Sequence, residues 1–321
     1  MPAAPAEHSF YITPPGPGTV LADWVRWAAA ELEAAGVHFG HGTDNAVDEA
    51  AWLVSHAAGL PPDFGPADHG RVLDPGAAAR ARALVARRIA ERRPAAYLLG
   101  EAWFAGRRFY VDERVLVPRS PLAELILDRF TPWVEPERVE RVLDLCTGSG
   151  CIAVACALEL PRAQVDASDV DPGALEVAAR NAAAHGVAKR VRLIRSDLFA
   201  EIPPARYDVI VSNPPYVDAA DMAALPEEYR REPALGLAAG DDGLDLVLPL
   251  LAAAPDFLAP GGILVVEVGR SAAALEACLP RVPFTWLEFS RGGEGVFLLH
   301  AEDVVRYRAQ FVEAASSRGN P

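Results

Sequence analysis

The chain has 321 residues, 51% of them hydrophobic, enough for a main domain with a smaller companion. Thirty basic residues against 44 acidic ones give a formal charge of -14, which weighs against a general grip on nucleic acid and suits a basic partner. The N-terminus lacks the basic start and apolar run of a signal peptide, and the most apolar region, residues 244–266, is interrupted by Pro and Asp, so a cytoplasmic protein with no membrane span is expected.

Residues 1–18 form a Pro/Gly-rich leader, read as flexible. Val20, Leu21, Trp24, Val25, Ala28 and Leu32 then recur at helical spacing up to Gly36, and residues 44–60 and 75–94 repeat the pattern. Residues 19–100 are therefore expected as a small helical domain. Arg80, Arg82, Arg87, Arg88, Arg92 and Arg93 crowd its third helix. They are either a solvated face or a contact for RNA or an acidic partner, and the acidity of the whole chain favours the first.

Residues 102–119 alternate aromatic or branched with polar side chains, which predicts a hairpin linker over 101–120, followed by a helix over 121–130. From residue 139 strands alternate with helices: 141–145, helix 150–160, 164–169, helix 172–186, 191–197 and 207–213. A helix over 243–258, a strand over 261–269 and an antiparallel hairpin over 284–300, turning at Gly292 and Gly293, complete the pattern. This is an α/β fold with a mostly parallel sheet over 121–310, ending in a flexible tail at 311–321. Cys146, Cys151 and Cys156 sit five apart, which fits no zinc pattern, and are read as small buried hydrophobes.

Between the first strand and its helix, Gly148, Gly150 and Ala153 satisfy G-x-G-x-x-G/A, a weak match by itself. Glycine there admits close backbone approach to a ligand, and the following helix offers unpaired N–H groups. Asp169 ends the second strand, 19 positions after Gly150, where a carboxylate takes both hydroxyls of a ribose. NAD and S-adenosylmethionine both carry one. Asp144, just before the loop, would oppose a pyrophosphate but help anchor an ammonium group, directly or through water. Asp197, ending the third strand, is placed to accept from an adenine amino group. Each acid has a competing role as a helix N-cap, yet together they favour S-adenosylmethionine. The segment Ser212-Asn213-Pro214-Pro215-Tyr216 closes a buried strand with two successive prolines, which makes a stiff, pre-shaped loop.

With the glycine loop, Asp169, Asp197 and "NPPY" in this order, the chain resembles class I S-adenosylmethionine-dependent methyltransferases (Rossmann-like) that act on planar nitrogens. Residues 94–126, 142–157, 212–246 and 282–297 look like the HemK/PrmC-like protein N(5)-glutamine methyltransferases. Within them they resemble the bacterial branch that methylates glutamine on ribosomal protein L-three, over about residues 85 to 300. The branch that methylates peptide-chain release factors usually has "PRPDTE" where this chain has "PRSPLAE" at Pro118 to Glu124, and that departure favours the ribosomal-protein branch.

The resemblance implies that the Asn213 side-chain oxygen and the Pro214 carbonyl accept the two N–H bonds of the substrate amide while Tyr216 packs on its plane. Pro215 and Arg119 would complete the substrate site. Asp144, Cys146, Thr147, Gly148, Ser149, Gly150, Asp169, Asp197, Leu198 and Asn213 would hold S-adenosylmethionine, with no metal required. Arg119 and Ser120, and likewise Glu232 and Pro233, either shape the mouth of the site or play structural parts. The helical domain is expected to select the protein substrate. A DNA amino-methyltransferase shares the loop but predicts a basic cleft, and a non-catalytic ribosome assembly factor would use the arginine-rich helix.

Overall fold

The computed structural model describes residues 11–16, 18–60 and 65–318. Most of the leader and the last three residues therefore lie outside the described residues. The chain divides into two compact units: one runs to Ala102 and includes Pro226–Arg231, the other covers Trp103–Leu225 and continues from Glu232.

In the first unit, helix α1 (Leu21–Ala34) buries Leu21, Trp24, Val25, Ala28 and Leu32, the stripe that the spacing requires, and the chain turns at Gly36 with φ +60°. Helix α2 (Ala46–Ala57) starts where the Asn45 side chain accepts the Asp48 N–H at 2.9 Å. Helix α3 (Pro75–Glu91) starts where Asp74 accepts from Ala77 at 2.8 Å. Helices α1, α2 and α3 pack together, and α4 (Ala95–Leu99) follows.

The arginines of α3 are largely spent inside the unit. Arg88 is fully buried, donates to Glu49 at 2.7 Å and to the His38 carbonyl at 2.8 Å, and pairs with Glu228 at 3.5 Å. Arg92 reaches Glu228 at 3.0 Å and the carbonyls of Ala35 and Gly36. Arg80 donates to the Ala57 carbonyl, Arg82 lies over the Trp24 ring, and Arg87 and Arg93 pair with Glu91. Most of the run thus binds its own unit rather than offering a free cationic face.

The second unit opens with strands β1 (Ala102–Phe104) and β2 (Arg107–Phe109), of which Ala102 closes the first unit, then α5 (Leu122–Leu127). The hairpin is shorter than the alternation predicted, because the polypeptide leaves the ladder after Phe109. The main sheet comprises β3 (Arg141–Leu145), β4 (Gln164–Asp169), β5 (Val191–Arg195), β6 (Tyr207–Ser212), β7 (Leu258–Glu267), β8 (Thr285–Trp286) and β9 (Val296–His300), in the order β5-β4-β3-β6-β7-β9-β8. Strands β3 to β7 are parallel, and β9 runs antiparallel to both β7 and β8. The chain thus has the α/β fold with a mostly parallel sheet and an antiparallel end that the sequence pattern predicts.

Connecting these strands are α6 (Cys151–Glu159), α7 (Pro172–Ala184), α8 (Ala219–Ala224), α9 (Val247–Ala253), α10 (Ala272–Cys278), α11 (Ala301–Arg306) and α12 (Arg308–Ser316). Val142, Val165, Val209, Val211 and Val265 join a core with α5 and α6. Their alternate neighbours Leu143, Leu145, Ile210, Leu264 and Val266 join a second core with α9, α11 and α12. Two further readings change. Helix α9 stops at Ala253, since Pro255 and the strand beginning at Leu258 end it early. Residues 311–316, expected in a flexible tail, continue α12, which buries Phe311 completely. Among the described residues no helix is long and apolar enough to cross a membrane.

Candidate functional site

Strand order reverses at β3, which has β4 on one side and β6 on the other. In such sheets ligands bind beyond the carboxyl ends of the strands at that point. The loops leaving β3, β4, β5 and β6 there line one cavity, to which Cys146, Thr147, Gly148, Ser149, Asp169, Asp197, Leu198, Asn213 and Pro215 contribute.

The loop after β3 curls because Cys146, Gly148 and Gly150 all take left-handed backbone conformations, with φ of 58°, 53° and 77°. Cys146 does so at a steric cost that glycine avoids. The Gly148 N–H donates to Asp169 Oδ2 at 2.9 Å, and a Cβ on Gly148 would meet nothing within 4 Å, so the backbone there stands open to the cavity. Gly150 serves differently from the expectation. It does not line the cavity, and its added Cβ would lie 2.9 Å from the Ala178 Cβ, so it lets α6 begin against α7.

Asp144 is also corrected. It is fully buried, does not reach the cavity wall, and its Oδ2 accepts from Thr147 Oγ1 at 2.5 Å and from the Ala153 N–H at 3.0 Å. It therefore caps the first turn of α6 and fixes the loop from beneath, while its Oδ1 has no hydrogen-bond partner among the described residues. Burial pushes its carboxyl from the usual 3.8 up to about 7. Between about pH 4 and about 7 the folded chain thus keeps a proton that the unfolded chain releases. Its stabilising contribution is complete below about pH 4 and is lost as pH rises to about 7, a difference of about 4 kcal/mol. Asp144→Asn should flatten that slope in denaturant unfolding measured across this window. An unchanged slope would show that another group dominates it.

Asp169 accepts from the Gly148 N–H and, through Oδ1, from the Asp171 N–H at 3.0 Å, so its plane is fixed by two backbone donors at the cavity edge. Burial raises its carboxyl above the ordinary range. The Asp197 side chain makes no hydrogen bond among the described residues and caps no helix. Ser196 does the local work, its Oγ donating to the Leu198 carbonyl and accepting from the Glu201 N–H. Arg114 and Arg119 also line the cavity, but Arg114 pairs with Asp112 and Glu176, and Arg119 makes a two-pronged bridge to buried Glu232 at 2.7 and 2.8 Å. With its cations already neutralised and Asp169, Asp171 and Asp197 on its wall, the cavity opposes a pyrophosphate and suits a cationic nucleoside.

At the end of β6, Ser212 Oγ donates to the Leu145 carbonyl at 2.8 Å and ties the loop to β3. Asn213 lines the cavity, and its side-chain amide makes no hydrogen bond among the described residues. Pro214 is buried and off the cavity wall. Tyr216 also lies off the wall: its hydroxyl donates to Glu267 Oε1 at 3.0 Å, and its ring lies against Gly269. Ser120 and Pro233 line the cavity, whereas Glu232 acts through Arg119.

Sequence reasoning missed Glu267, and it also missed residues 114–118 and Leu235, Gly236 and Ala238 as cavity lining. A carboxylate closing an apolar parallel strand at its carboxyl end was the available signal for Glu267.

Residues 123–227 match the family described as methyltransferase small domain, and residues 23–100 match that described as PrmC N-terminal domain. A ribosomal protein uL3 glutamine methyltransferase of Bordetella pertussis is 52% identical over 286 residues, covering 88% of this chain and 96% of the relative. The protein of that name from Xanthomonas campestris pv. campestris is 48% identical, covering 93% and 96%. Among solved structures, TrmN from Thermus thermophilus is 27% identical over 56% of this chain and 48% of its own, with a TM-score of 0.40. On the length and identity of the first two matches, the chain belongs to the ribosomal protein uL3 glutamine methyltransferase family.

Proposed function

We propose that the protein transfers a methyl group from S-adenosylmethionine to the side-chain amide nitrogen of a glutamine in ribosomal protein uL3, in the cytoplasm. The observation that carries this reading is Asn213, whose side chain has no hydrogen-bond partner among the described residues, on the wall of a cavity whose other polar groups are mostly engaged. It stands on a loop held by two prolines and by the Ser212 bond to β3. The acidic wall and the open backbone at Gly148 fit the cofactor.

When bound, S-adenosylmethionine supplies an electrophilic methyl group on a sulfonium. Asp169 would hold the ribose hydroxyls, Asp197 the adenine amino group, and the Cys146 to Ser149 loop would enclose the remainder. An amide nitrogen is a poor nucleophile because its lone pair is delocalised into the carbonyl. Asn213 Oδ1, accepting an N–H bond from that nitrogen, would stabilise the positive charge that grows on it as it attacks. No strong base is needed, since the methylated amide sheds its proton to solvent or to Asn213. Holding nitrogen and methyl in line at about 3 Å supplies much of the rate. A chain with formal charge -14 also attracts a basic ribosomal protein.

The test incubates the enzyme and labelled S-adenosylmethionine with unmethylated uL3, peptide-chain release factors and DNA in parallel. Label on uL3 alone is expected. Label on release factors alone reassigns the substrate, and label on DNA overturns protein methylation.

A further inference from the structure

Glu267 ends β7 one residue beyond Val266, which pairs with Ser212, so its carboxylate stands beside the first residues of the 212–216 loop. It is 5% exposed. Its two oxygens are divided between two hydroxyls: Oε1 accepts from Tyr216 at 3.0 Å and Oε2 from Ser120 Oγ at 2.5 Å. Ser120 and its neighbour Arg119 line the cavity, so one buried carboxylate joins the segment entering the cavity from residues 114–120 to the loop leaving β6.

Two further contacts fix Tyr216 from the same strand end. Ser271 Oγ donates to its carbonyl at 2.9 Å, and Gly269 leaves its ring so little room that a Cβ there would lie 2.6 Å from Cε2. Hydroxyl, ring and carbonyl are therefore all set by residues 267–271.

Stability alone does not account for a carboxylate at this position. Among the described residues no cation bonds to it, the nearby Arg119 being held by Glu232, and burying a charge with neutral donors costs more than burying an amide of the same shape. What a carboxylate offers here, and a glutamine does not, is two acceptor oxygens for two hydroxyls at once. Resting on the glutamine-methyltransferase reading of the site, we propose that Glu267 is a positioning residue for the reaction. It holds Tyr216, and through it the loop that carries Asn213, in register with the Arg119–Ser120 side of the cavity.

Glu267→Gln keeps the volume but leaves one hydroxyl facing an amide N–H. Turnover on uL3 should fall about ten- to a hundred-fold, the value of one hydrogen bond to a charged acceptor. S-adenosylmethionine affinity should hold, and the thermal midpoint should be no lower than that of the unsubstituted enzyme. Tyr216→Phe should reproduce the loss in turnover. The double variant should be no slower than the slower single one, because both break the same link. Losses that multiply, or full turnover in either single variant, would overturn the proposal. Should Glu267→Gln fail to fold, Tyr216→Phe decides alone, since it removes one hydroxyl: undiminished turnover overturns, a loss of about ten- to a hundred-fold, one charge-assisted hydrogen bond, supports. The unsubstituted enzyme runs in the same assay. If it leaves uL3 unlabelled, the substrate reading fails, whereas labelled uL3 with unaffected variants fails only the role of Glu267.

Discussion

Asn213→Ala is expected to lower the turnover of methyl transfer by about a hundred- to a thousand-fold, the usual cost of removing one pre-oriented group that meets charge developing in the transition state. Affinity for S-adenosylmethionine should change little, and so should stability, because the side chain makes no hydrogen bond within the described structure that its loss would break. The loop itself is held by other means: two prolines, the Ser212 bond to the Leu145 carbonyl, and the contacts of Tyr216 with Glu267, Gly269 and Ser271. Single-turnover kinetics with saturating cofactor, alongside calorimetric titration of the cofactor, separate the two effects. A variant that binds cofactor poorly and turns over normally once saturated would move Asn213 out of the amide site and into the cofactor site.

Asp169→Ala should act in the opposite way, weakening S-adenosylmethionine about a hundredfold or more with a smaller effect on turnover at saturation. A charged acceptor contributes about 1.5–3 kcal/mol to each hydrogen bond, and a ribose offers two hydroxyls. The substitution also strands the Gly148 and Asp171 N–H groups, which now donate to Asp169 at 2.9 and 3.0 Å, and so loosens the loop that carries Cys146 and Thr147. The measurement is the calorimetric dissociation constant for S-adenosylmethionine and for its demethylated product. Unchanged binding of both would remove Asp169 from the cofactor site.

The sheet was legible because a parallel strand buried on both faces leaves a continuous apolar run, as at residues 209–211 of β6 and 263–266 of β7, and because helices alternate with such runs. Asp169, Asp197 and Asn213 were legible for a related reason, since each ends a strand or lies within two residues of its end, and strand ends converge where the order reverses. Which way a side chain faces is another matter. Asp144 and Asp169 both sit in or beside the same loop connections, yet one caps α6 from below and the other borders the cavity. Only the three-dimensional course of the glycine loop separates them. Gly150 and Gly148 look alike in sequence, but one is set by Ala178, 28 positions away, and the other by open space.

Long-range pairing hid the rest. Glu267 and Tyr216 lie 51 positions apart, Arg119 and Glu232 113 apart, and Arg88 and Glu228 140 apart. Nothing local in any of these stretches announces its partner. The arginines of α3 show the converse difficulty, since a run of like charges reads as one surface while its members turn to different acceptors. The helix over 308–316 was missed because its single anchoring residue, Phe311, gives too little periodicity to stand out from a polar tail.

The clamp at Asn213 is tested most directly by fragment mass analysis of uL3 after incubation with S-adenosylmethionine and either the unsubstituted enzyme or Asn213→Ala. One added methyl group, localised to the side-chain amide of a single glutamine and formed far more slowly by the variant, is the predicted result. A methyl group on any other side chain, or one installed equally fast by both enzymes, would contradict it.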